Sequence, residues 1–299
     1  MGNWAVGLDV GGTNMRAAEV RSDGSVGVVL KEPVDFSARV PFAQLTGLTK
    51  KLIDAVPSVP VGVGMGVTGP IDVTTGTIDN PYTLPASLQG DVVEALRTAS
   101  GLEVVVENDA NAAALGEVRY GAGRGGAVVV CITVGTGIGV GVVRDGALHH
   151  GAKGTHPEAG HLVVDPAGPL CYCGARGCVE VLASASAVAT AGVTAGVIDE
   201  GGSAKDVHQA AGDDPRATAI VERARSAIAA AARTLVAVHG ADTVILAGNG
   251  IGDVDAMMAR VRLDVATYLF APPGGVAVRP SALQGLAGCV GAAALVLAP

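Results

Sequence analysis

The sequence predicts an α/β fold built from two related halves, and three observations carry that prediction. At 299 residues, the chain is long enough for about two domains. Short apolar runs typical of strands alternate with segments whose apolar residues have helical spacing. A strand, a glycine turn and a second strand occur near residue 4 and again near residue 127, which indicates a repeated architecture.

The first half opens with three predicted strands over residues 4–10, 15–20 and 26–31, separated by a glycine turn and by Asp23-Gly24. Apolar spacing predicts a helix over 41–55, followed by a buried strand over 61–67 that ends at Thr68-Gly69-Pro70. A helix over 91–99, a strand over 103–107 and an alanine-rich helix over 109–119 complete this half. Asn108 or Asp109 is the expected cap of the last helix.

The second half repeats the opening pattern, with strands over 127–134 and 139–144 around the turn Gly135-Thr136-Gly137. A cysteine-bearing loop covers about 151–180, and helices dominate afterwards, the longest over 216–239. The last predicted strand, 244–247, leads into Gly248-Asn249-Gly250, and a closing helix is predicted over 283–297. We expect a smaller lobe of residues 1–110 plus 284–299 and a larger lobe of 111–283 that carries the cysteine loop.

Composition excludes several classes of protein. With 20 Lys and Arg against 28 Asp and Glu, the net charge of −8 offers no attraction for a phosphate backbone, and aromatic residues are too few for base stacking. No stretch of about 20 apolar residues is free of charge. The N-terminus lacks the basic region of a signal peptide, and the five cysteines form no disulfide framework. We therefore expect a cytoplasmic protein that binds neither nucleic acid nor membranes.

The two glycine turns are candidate phosphate sites. Asp9-x-Gly11-Gly12-Thr13-Asn14 is followed by a strand, so it is neither a Walker A loop nor a dinucleotide-binding motif, which lead into a helix. A hairpin tip with glycines and a threonine can point amides and a hydroxyl at a phosphate. Taken alone, such a tip is more often an ordinary glycine hairpin than a phosphate site. Two matching tips, the second containing Thr136 and Gly137, favour a phosphate chain held between two lobes.

Three cysteines and one histidine form a candidate metal site. Cys171, Cys173 and Cys178 lie within eight residues, and His161 precedes the first of them by ten positions. Three thiolates and an imidazole suit tetrahedral zinc, and a site filled by four protein ligands is structural rather than hydrolytic. The alternative is a chance cluster of buried cysteines. The glycines between these ligands favour the metal, since they allow the loop to fold tightly.

Together these motifs resemble those of the ROK family (repressors, open reading frames and sugar kinases) of the actin-like ATPase superfamily, over nearly the whole chain. The motifs are both glycine hairpins, Gly66-x-x-Gly69-Pro70-x-Asp72, Glu107-Asn108-Asp109-Ala110-Asn111, Glu158-x-Gly160-His161 and Cys171-x-Cys173-Gly174-x-x-Gly177-Cys178-x-Glu180. The resemblance implies an actin-like ATPase (ribonuclease H-like) two-lobed fold with a zinc-binding loop, and a homodimer. It further implies an ATP- and Mg²⁺-dependent kinase that phosphorylates a hexose, at the 6-hydroxyl.

The resemblance also implies roles for individual residues, with Asp109 as the base that takes the proton from the sugar hydroxyl. The implied sugar contacts are Asn108, Glu158, His161, Glu180, Gly69 and Asn80. The implied nucleotide contacts are Asp9, Gly11, Gly12, Thr13, Asn14, Thr136, Gly137, Gly248 and Gly250. Structural alternatives are a helix cap for Asn108-Asp109, an exposed loop residue for Glu158, a carboxylate on a helix dipole for Glu180 and an Asn-Pro turn for Asn80.

The substrate motifs conflict with one another. Thr155-His156-Pro157-Glu158 resembles the fructokinase and mannokinase branch, whereas Asp165-Pro166-x-Gly168-Pro169-x-Cys171 and Cys178-Val179-Glu180 resemble the N-acetylmannosamine kinase branch. Glucose is the first choice because it is the family's commonest substrate, with mannose, fructose and N-acetylmannosamine close behind and polyphosphate as an alternative donor. The other functions considered are a sugar-sensing regulator, for whose helix-turn-helix domain the residues before Asp9 leave no room, and a sugar-binding protein without turnover, which Asp109 disfavours.

Overall fold

The computed structural model describes residues 3–297, and these form two compact units. The first unit extends to Gly125 and also includes Gly141–Pro157 and the chain from Ala282 onward. The second unit consists of Gly126–Val140 and Glu158–Ser281. This division differs from the expected boundary after residue 110, because the helix that begins at Asp109 packs against the sheet and the closing helix of the first unit.

Strands and helices alternate along the chain, as the α/β prediction requires. The strands are β1 (Trp4–Val10), β2 (Asn14–Arg21), β3 (Val26–Pro33), β4 (Val63–Val67), β5 (Ile71–Asp72), β6 (Thr77–Ile78), β7 (Gly90–Asp91), β8 (Val104–Asn108), β9 (Val128–Val134), β10 (Ile138–Arg144), β11 (Ala147–Leu148), β12 (Thr243–Ala247) and β13 (Ala277–Pro280). The helices are α1 (Ala43–Ala55), α2 (Val92–Ser100), α3 (Asp109–Tyr120), α4 (Val179–Ala183), α5 (Ala185–Thr194), α6 (Ala204–Ala210), α7 (Pro215–His239), α8 (Val254–Ala266) and α9 (Ala287–Ala294). Within residues 3–297, no helix combines the length and the apolar character that crossing a bilayer would require.

Two five-stranded sheets repeat one topology. Their strand orders are β3-β2-β1-β4-β8 and β11-β10-β9-β12-β13, so the strands correspond one to one. Antiparallel pairs occupy one side of each sheet and parallel pairs the other. The predicted internal repeat is therefore confirmed. The small sheet β5-β6-β7 was not predicted, because strands of two residues leave no alternation to detect.

Alternate side chains of β1 pack into two different cores, one on each face of the first sheet. Val6, Leu8 and Val10 belong to a core shared with α1 and α2, whereas Ala5 belongs to a second core with α9. This alternation follows from the period of two along a strand. Asp9 accordingly lies on the α9 side of the sheet, next to the start of that helix.

Glycines in β1 and β4 let α9 lie directly on the sheet. A Cβ on Gly7 would lie 2.0 Å from the carbonyl oxygen of Cys289, and one on Gly64 would lie 1.7 Å from that of Ala292. The same close approach joins α9 to α3 at Gly291. The chain has 44 glycines, and those inside these apolar strands serve backbone-on-backbone packing.

Gly64→Ala should destabilise the protein by at least about 2 kcal/mol, since the added methyl group has no space beside the Ala292 carbonyl. Urea unfolding followed by circular dichroism measures the change in the free energy of unfolding. Gly47→Ala is the matched control, because a Cβ at this α1 position meets nothing within 4 Å. The control should stabilise the helix by about 0.5–1 kcal/mol. Equal stability of the two variants would contradict the packing argument.

The longest helix, α7, organises the second unit. It begins after Asp214, whose side chain accepts a hydrogen bond from the backbone N–H of Arg216, with Pro215 in the first turn. It ends at Gly240, whose φ of 63° is a left-handed cap. Between these caps α7 packs against α4, α5, α6 and α8. The predicted helix over 216–239 is confirmed.

The chain after Ser281 differs from its prediction. Within the closing segment predicted as one helix over 283–297, the structure has a 3-10 turn at Gln284–Leu286 followed by the shorter helix α9. The left-handed backbone of Gln284, with φ of 50°, interrupts the helix at its start. Residues 298 and 299 lie outside the described part of the chain.

Candidate functional site

Three turns of the chain begin side by side at one edge of the first sheet. β1, β4 and β8 are parallel neighbours, and their last residues Val10, Val67 and Asn108 are in register. The segments that follow these strands are the first hairpin tip, the turn at Gly69 and the start of α3. Ligands of open α/β sheets bind at such carboxyl ends of parallel strands.

Asp9 is a partly buried carboxylate beside the first hairpin tip. Its Oδ2 pairs with the guanidinium of Arg16 at 3.1 Å. Burial raises the pKa of Asp9, and the charge of Arg16 opposes that rise. A Cβ on Gly288 would lie 2.9 Å from Oδ1 of Asp9, so the absence of a side chain at Gly288 lets the carboxylate pack against the start of α9. At the tip itself, Gly12 packs against the Thr83 carbonyl, 2.9 Å from the position of a Cβ.

Asn108 caps α3, and Asp109 is the first residue of that helix. The Asn108 Oδ1 accepts hydrogen bonds from the backbone N–H of Ala110 at 2.9 Å and of Asn111 at 3.2 Å, so the helix-cap interpretation is confirmed. The Asp109 carboxylate accepts from the Ala110 N–H at 2.8 Å and is only partly buried. The cap uses the oxygen of Asn108 and leaves the amide nitrogen pointing toward Gly69, 3.5 Å from the position of a Cβ there.

Asn80 is buried and holds the turn at Gly69. Its Nδ2 lies within hydrogen-bond distance of the carbonyl oxygens of Thr68 and Gly69 and 2.6 Å from Thr83 Oγ1. Its Oδ1 accepts from the Thr83 N–H at 3.1 Å. Both polar atoms of Asn80 are therefore engaged within the protein, as the Asn-Pro turn interpretation expects. On its other side Gly69 meets His156, whose Cε1 would lie 2.7 Å from a Cβ.

In the second unit, the glycine turn after β12 packs on the second hairpin. β9 and β12 are parallel neighbours. A Cβ on Gly248 would lie 2.1 Å from the carbonyl oxygen of Val134, and the Gly250 N–H donates to the same oxygen at 2.9 Å. This packing brings Gly248 and Gly250 to the base of the hairpin that carries Thr136 and Gly137.

His208 of α6 supports the glycine turn after β12. No sequence pattern indicated this role of His208. The imidazole hydrogen-bonds the backbone of Gly250, and a Cβ on Gly252, whose φ is 70°, would lie 2.4 Å from its Nδ1. Burial lowers the pKa of His208, and the charge of Arg225 lowers it further. A neutral imidazole at this position can donate from Nδ1 to a backbone carbonyl.

Glu180 is tied to the second hairpin. Its Oε2 accepts the N–H of Ile138 at 2.6 Å, and a Cβ on Gly137 would lie 2.9 Å from its Oε1. Burial raises the pKa of Glu180, the hydrogen bond from Ile138 lowers it, and the neighbouring charge of Glu158 raises it again. Glu180 also lies in the first turn of α4, where the helix-dipole interpretation puts it.

The predicted metal ligands converge in the second unit. The ligand atoms of His161, Cys171, Cys173 and Cys178 all lie within 4.8 Å of one another. Sγ of Cys171 is 3.5 Å from Nδ1 of His161, and Sγ of Cys173 is 3.6 Å from that of Cys178. Around a tetrahedral zinc with Zn–S of about 2.3 Å, two sulfurs lie about 3.8 Å apart and a sulfur lies about 3.6 Å from a nitrogen. The donor set and its spacing fit zinc.

Since Nδ1 of His161 faces the thiols, its other ring nitrogen points away from the cluster. The ring of Tyr172 packs edge-on against this imidazole, with 5.0 Å between the centroids of the two rings. Burial raises the pKa of Tyr172 to about 12, with a further contribution from the charge of Glu180. Tyr172 therefore contacts a proposed metal ligand, and the spacing of the motif gave no indication of this contact.

The predicted site residues are divided between the two units. The first unit contains Asp9, Gly11, Gly12, Thr13, Asn14, Gly69, Asn80, Asn108 and Asp109. The second contains Thr136, Gly137, Glu158, His161, Cys171, Cys173, Cys178, Glu180, Gly248 and Gly250. A repeated five-stranded sheet, with a glycine hairpin opening each copy, is the architecture of the actin-like class of α/β folds.

A family model described as the ROK family matches residues 5–298. The chain belongs to the ROK family, and the resemblance seen in the sequence is confirmed.

Relatives and solved structures agree with this assignment. The chain is 38% identical to a glucokinase from Thermotoga maritima over 188 residues, which are 61% of this chain and 58% of that protein. It is 33% identical to an N-acetylmannosamine kinase from Citrobacter koseri over 259 residues, 85% of this chain and 86% of that protein. A ROK family glucokinase from Streptomyces griseus, solved with glucose and AMPPNP, has a TM-score of 0.79 at 30% identity, covering 98% of this chain and 99% of that one. The match to the Thermotoga glucokinase thus spans less than two thirds of that relative.

Proposed function

We propose that this protein is an ATP- and Mg²⁺-dependent kinase that phosphorylates a hexose, with the 6-hydroxyl as acceptor. The observation that carries the proposal is the shared edge of β1, β4 and β8, where a glycine hairpin, Gly69 and the Asn108-Asp109 pair begin side by side. Phosphoryl transfer needs a site for the phosphates and a carboxylate that orients the attacking hydroxyl. The first unit supplies both at one edge.

In this proposal Asp109 is the general base. It lies at the start of α3 with one carboxylate oxygen on the Ala110 N–H and with partial access to solvent, so a sugar hydroxyl can approach it. Asn108 offers its amide nitrogen to the sugar while its oxygen caps the helix. Asn80 acts by holding Gly69 rather than by a free amide, because its polar atoms already bind Thr83 and the turn.

The nucleotide would be held by backbone amides and hydroxyls of the glycine hairpins. The residues proposed for this role are Asp9, Gly11, Gly12, Thr13 and Asn14 in the first unit, and Thr136, Gly137, Gly248 and Gly250 in the second. Mg²⁺ is usually held by phosphates and one or two carboxylates, and the partly buried carboxylate of Asp9 beside the first hairpin tip suits that role. Bound Mg²⁺ would neutralise charge that develops on the phosphates.

From the second unit, Glu158, His161 and Glu180 are proposed to bind sugar hydroxyls. The zinc proposed at His161, Cys171, Cys173 and Cys178 would fix the orientation and tautomer of the imidazole, leaving its other nitrogen for the sugar. The zinc is structural in this proposal, since protein ligands fill its four positions.

Glucose is the first choice of substrate, supported by the names of several relatives, and mannose, fructose and N-acetylmannosamine follow. A site built from carboxylates and amides rejects a sugar lacking one hydroxyl by about 10⁴-fold, so the preference should be sharp. We expect at least one of about 20 monosaccharides to accelerate ATP consumption in a coupled assay. Polyphosphate is tested as the alternative donor on the same plate.

The deoxy analogue of the preferred sugar at carbon 6 is the control for the position of transfer. It should not be phosphorylated, because it lacks the accepting oxygen. If no sugar accelerates consumption of either donor, the kinase proposal is wrong. If a sugar binds tightly in calorimetry without turnover, a sugar-binding function is favoured instead.

A further inference from the structure

Glu107, the residue before Asn108, is a buried carboxylate with three N–H partners. Its Oε1 accepts from the backbone N–H of Asn108 at 2.8 Å and from Nδ2 of Asn111 at 3.0 Å. Its Oε2 lies 2.7 Å from Nε2 of His150. The Glu107 side chain is 5% exposed, so these groups replace water around its charge.

Two of these partners belong to the same turn as Glu107, whereas His150 comes from another segment. A hydrogen bond between Oε2 of Glu107 and Nε2 of His150 needs one proton between these two atoms, and the Nε2–H tautomer of His150 supplies it when Glu107 is ionised. Glu107 orients the side-chain amide of Asn111 through Nδ2. The Oδ1 of Asn111 does not contribute to that orientation, because it is buried without a hydrogen-bond partner among the described residues. His150 is thus the one link in this network that joins distant parts of the chain.

The segment that follows His150 closes on itself and returns to the same turn. The Gly151 N–H donates to the carbonyl oxygen of Thr155 at 2.6 Å, and Lys153 and Gly154 have φ of 57° and 77°. His156, at the far end, packs against Gly69, as described above. One end of this closed loop, His150, therefore contacts Glu107 next to the Asn108 turn, and the other end, His156, contacts the Gly69 turn.

We propose that the Glu107–His150 pair positions Asn108 and Asp109 for the reaction, an inference that rests on the proposed kinase function. Glu107 fixes the backbone N–H of Asn108, and the Asn108 side chain fixes the first amides of α3. The direction in which α3 starts, and with it the carboxylate of Asp109, depends on this chain of contacts. His150 is a positioning residue, since it acts through Glu107.

His150→Leu should lower kcat by about 10- to 100-fold, because small displacements of a catalytic group cost about that much. The KM for ATP should change less than twofold, since the nucleotide contacts lie elsewhere. His150→Gln keeps a donor for Glu107 and should recover most of kcat. His149→Leu, the same change at the exposed neighbour, is the control and should keep wild-type kcat.

Thermal unfolding of each variant separates positioning from stability. The proposal fails if His150→Leu keeps wild-type kcat, if His150→Gln is as slow as His150→Leu, or if the loss of kcat only follows the unfolded fraction. A second readout needs no kinase activity: nitrogen-15 NMR of the histidine rings should show a proton on Nε2 of His150. A proton on Nδ1 alone would overturn the pair even where the kinase proposal holds, and an inactive wild type with the Nε2 proton would overturn only the kinase proposal.

Discussion

Asp109→Asn should lower kcat with the preferred sugar by at least about 10²-fold, the usual contribution of a general base. The affinity for the sugar should change little, because the amide can still hydrogen-bond a hydroxyl that it can no longer deprotonate. A coupled assay of nucleotide consumption gives kcat, and calorimetry gives the sugar dissociation constant. Near-wild-type turnover would remove Asp109 from the mechanism.

The fold should tolerate this substitution. The Asp109 carboxylate accepts a hydrogen bond from the Ala110 N–H, and the Oδ1 of an asparagine can accept the same bond. Asp91→Asn is the matched control, since Asp91 caps the start of α2 in the same unit and accepts from the Glu94 N–H at 2.9 Å. Asparagine caps helices about as well as aspartate, so the control should keep both stability and kcat. A loss of activity in both variants would indicate a general helix-start effect rather than base catalysis.

The sequence predicted those parts of the fold that depend on local pattern. The hairpin β1-β2 and its counterpart at β9-β10 follow from apolar runs around glycine turns, and α7 follows from helical spacing between Asp214 and Gly240. The in-register parallel pairing of β1, β4 and β8 is not local, because those strands are far apart in the chain. The division into units differs from the expected lobes for the same reason: the packing of α3 on α9 joins residues that only the folded chain brings together.

The candidate site likewise contains residues that local sequence indicates and residues that only contacts between distant parts of the chain reveal. The proposed metal ligands and the Asn108-Asp109 pair could be named from the sequence, because spacing and motif are properties of the sequence. His150, His156 and His208 were not singled out as site residues, since each acts on a partner far away in the chain, namely Glu107, Gly69 and Gly250. Glu107 was quoted within a motif, but only its three hydrogen bonds identify its role. The role of Asn80 was left open by the sequence, and its hydrogen bonds to Thr83 support the turn.

Cys173→Ser should remove the proposed zinc and with it the kinase activity. The loop that carries the four proposed ligands is held by short-range backbone hydrogen bonds and by isolated bridges between Val163 and Cys178 and between Leu170 and Arg176. The left-handed turn at Gly177 leaves no space for a side chain beside the Asp165 carbonyl, so the loop is tightly folded around its ligands. In such a loop, metal binding and local folding are coupled.

The loss of activity would come from the sugar side of the site. Without the metal, the imidazole of His161 would lose its fixed orientation. Tyr172, which packs against that ring, would then lose its support. The glycine turns that are proposed to bind phosphate are held by separate contacts, such as that of Gly250 with Val134. Nucleotide affinity should therefore fall far less than sugar affinity.

Elemental analysis of the wild type should find one zinc per chain, and of Cys173→Ser none, with nucleotide and sugar titrations completing the comparison. Tyr172→Phe is the control within the loop: it keeps the ring beside His161 and should keep the zinc. Removing zinc from the wild type with a strong chelator should abolish activity, and adding zinc back should restore it if the loop refolds. A zinc-free wild type with full activity would refute the metal's role, and a zinc-containing, inactive Cys173→Ser would show that the cysteine acts in another way.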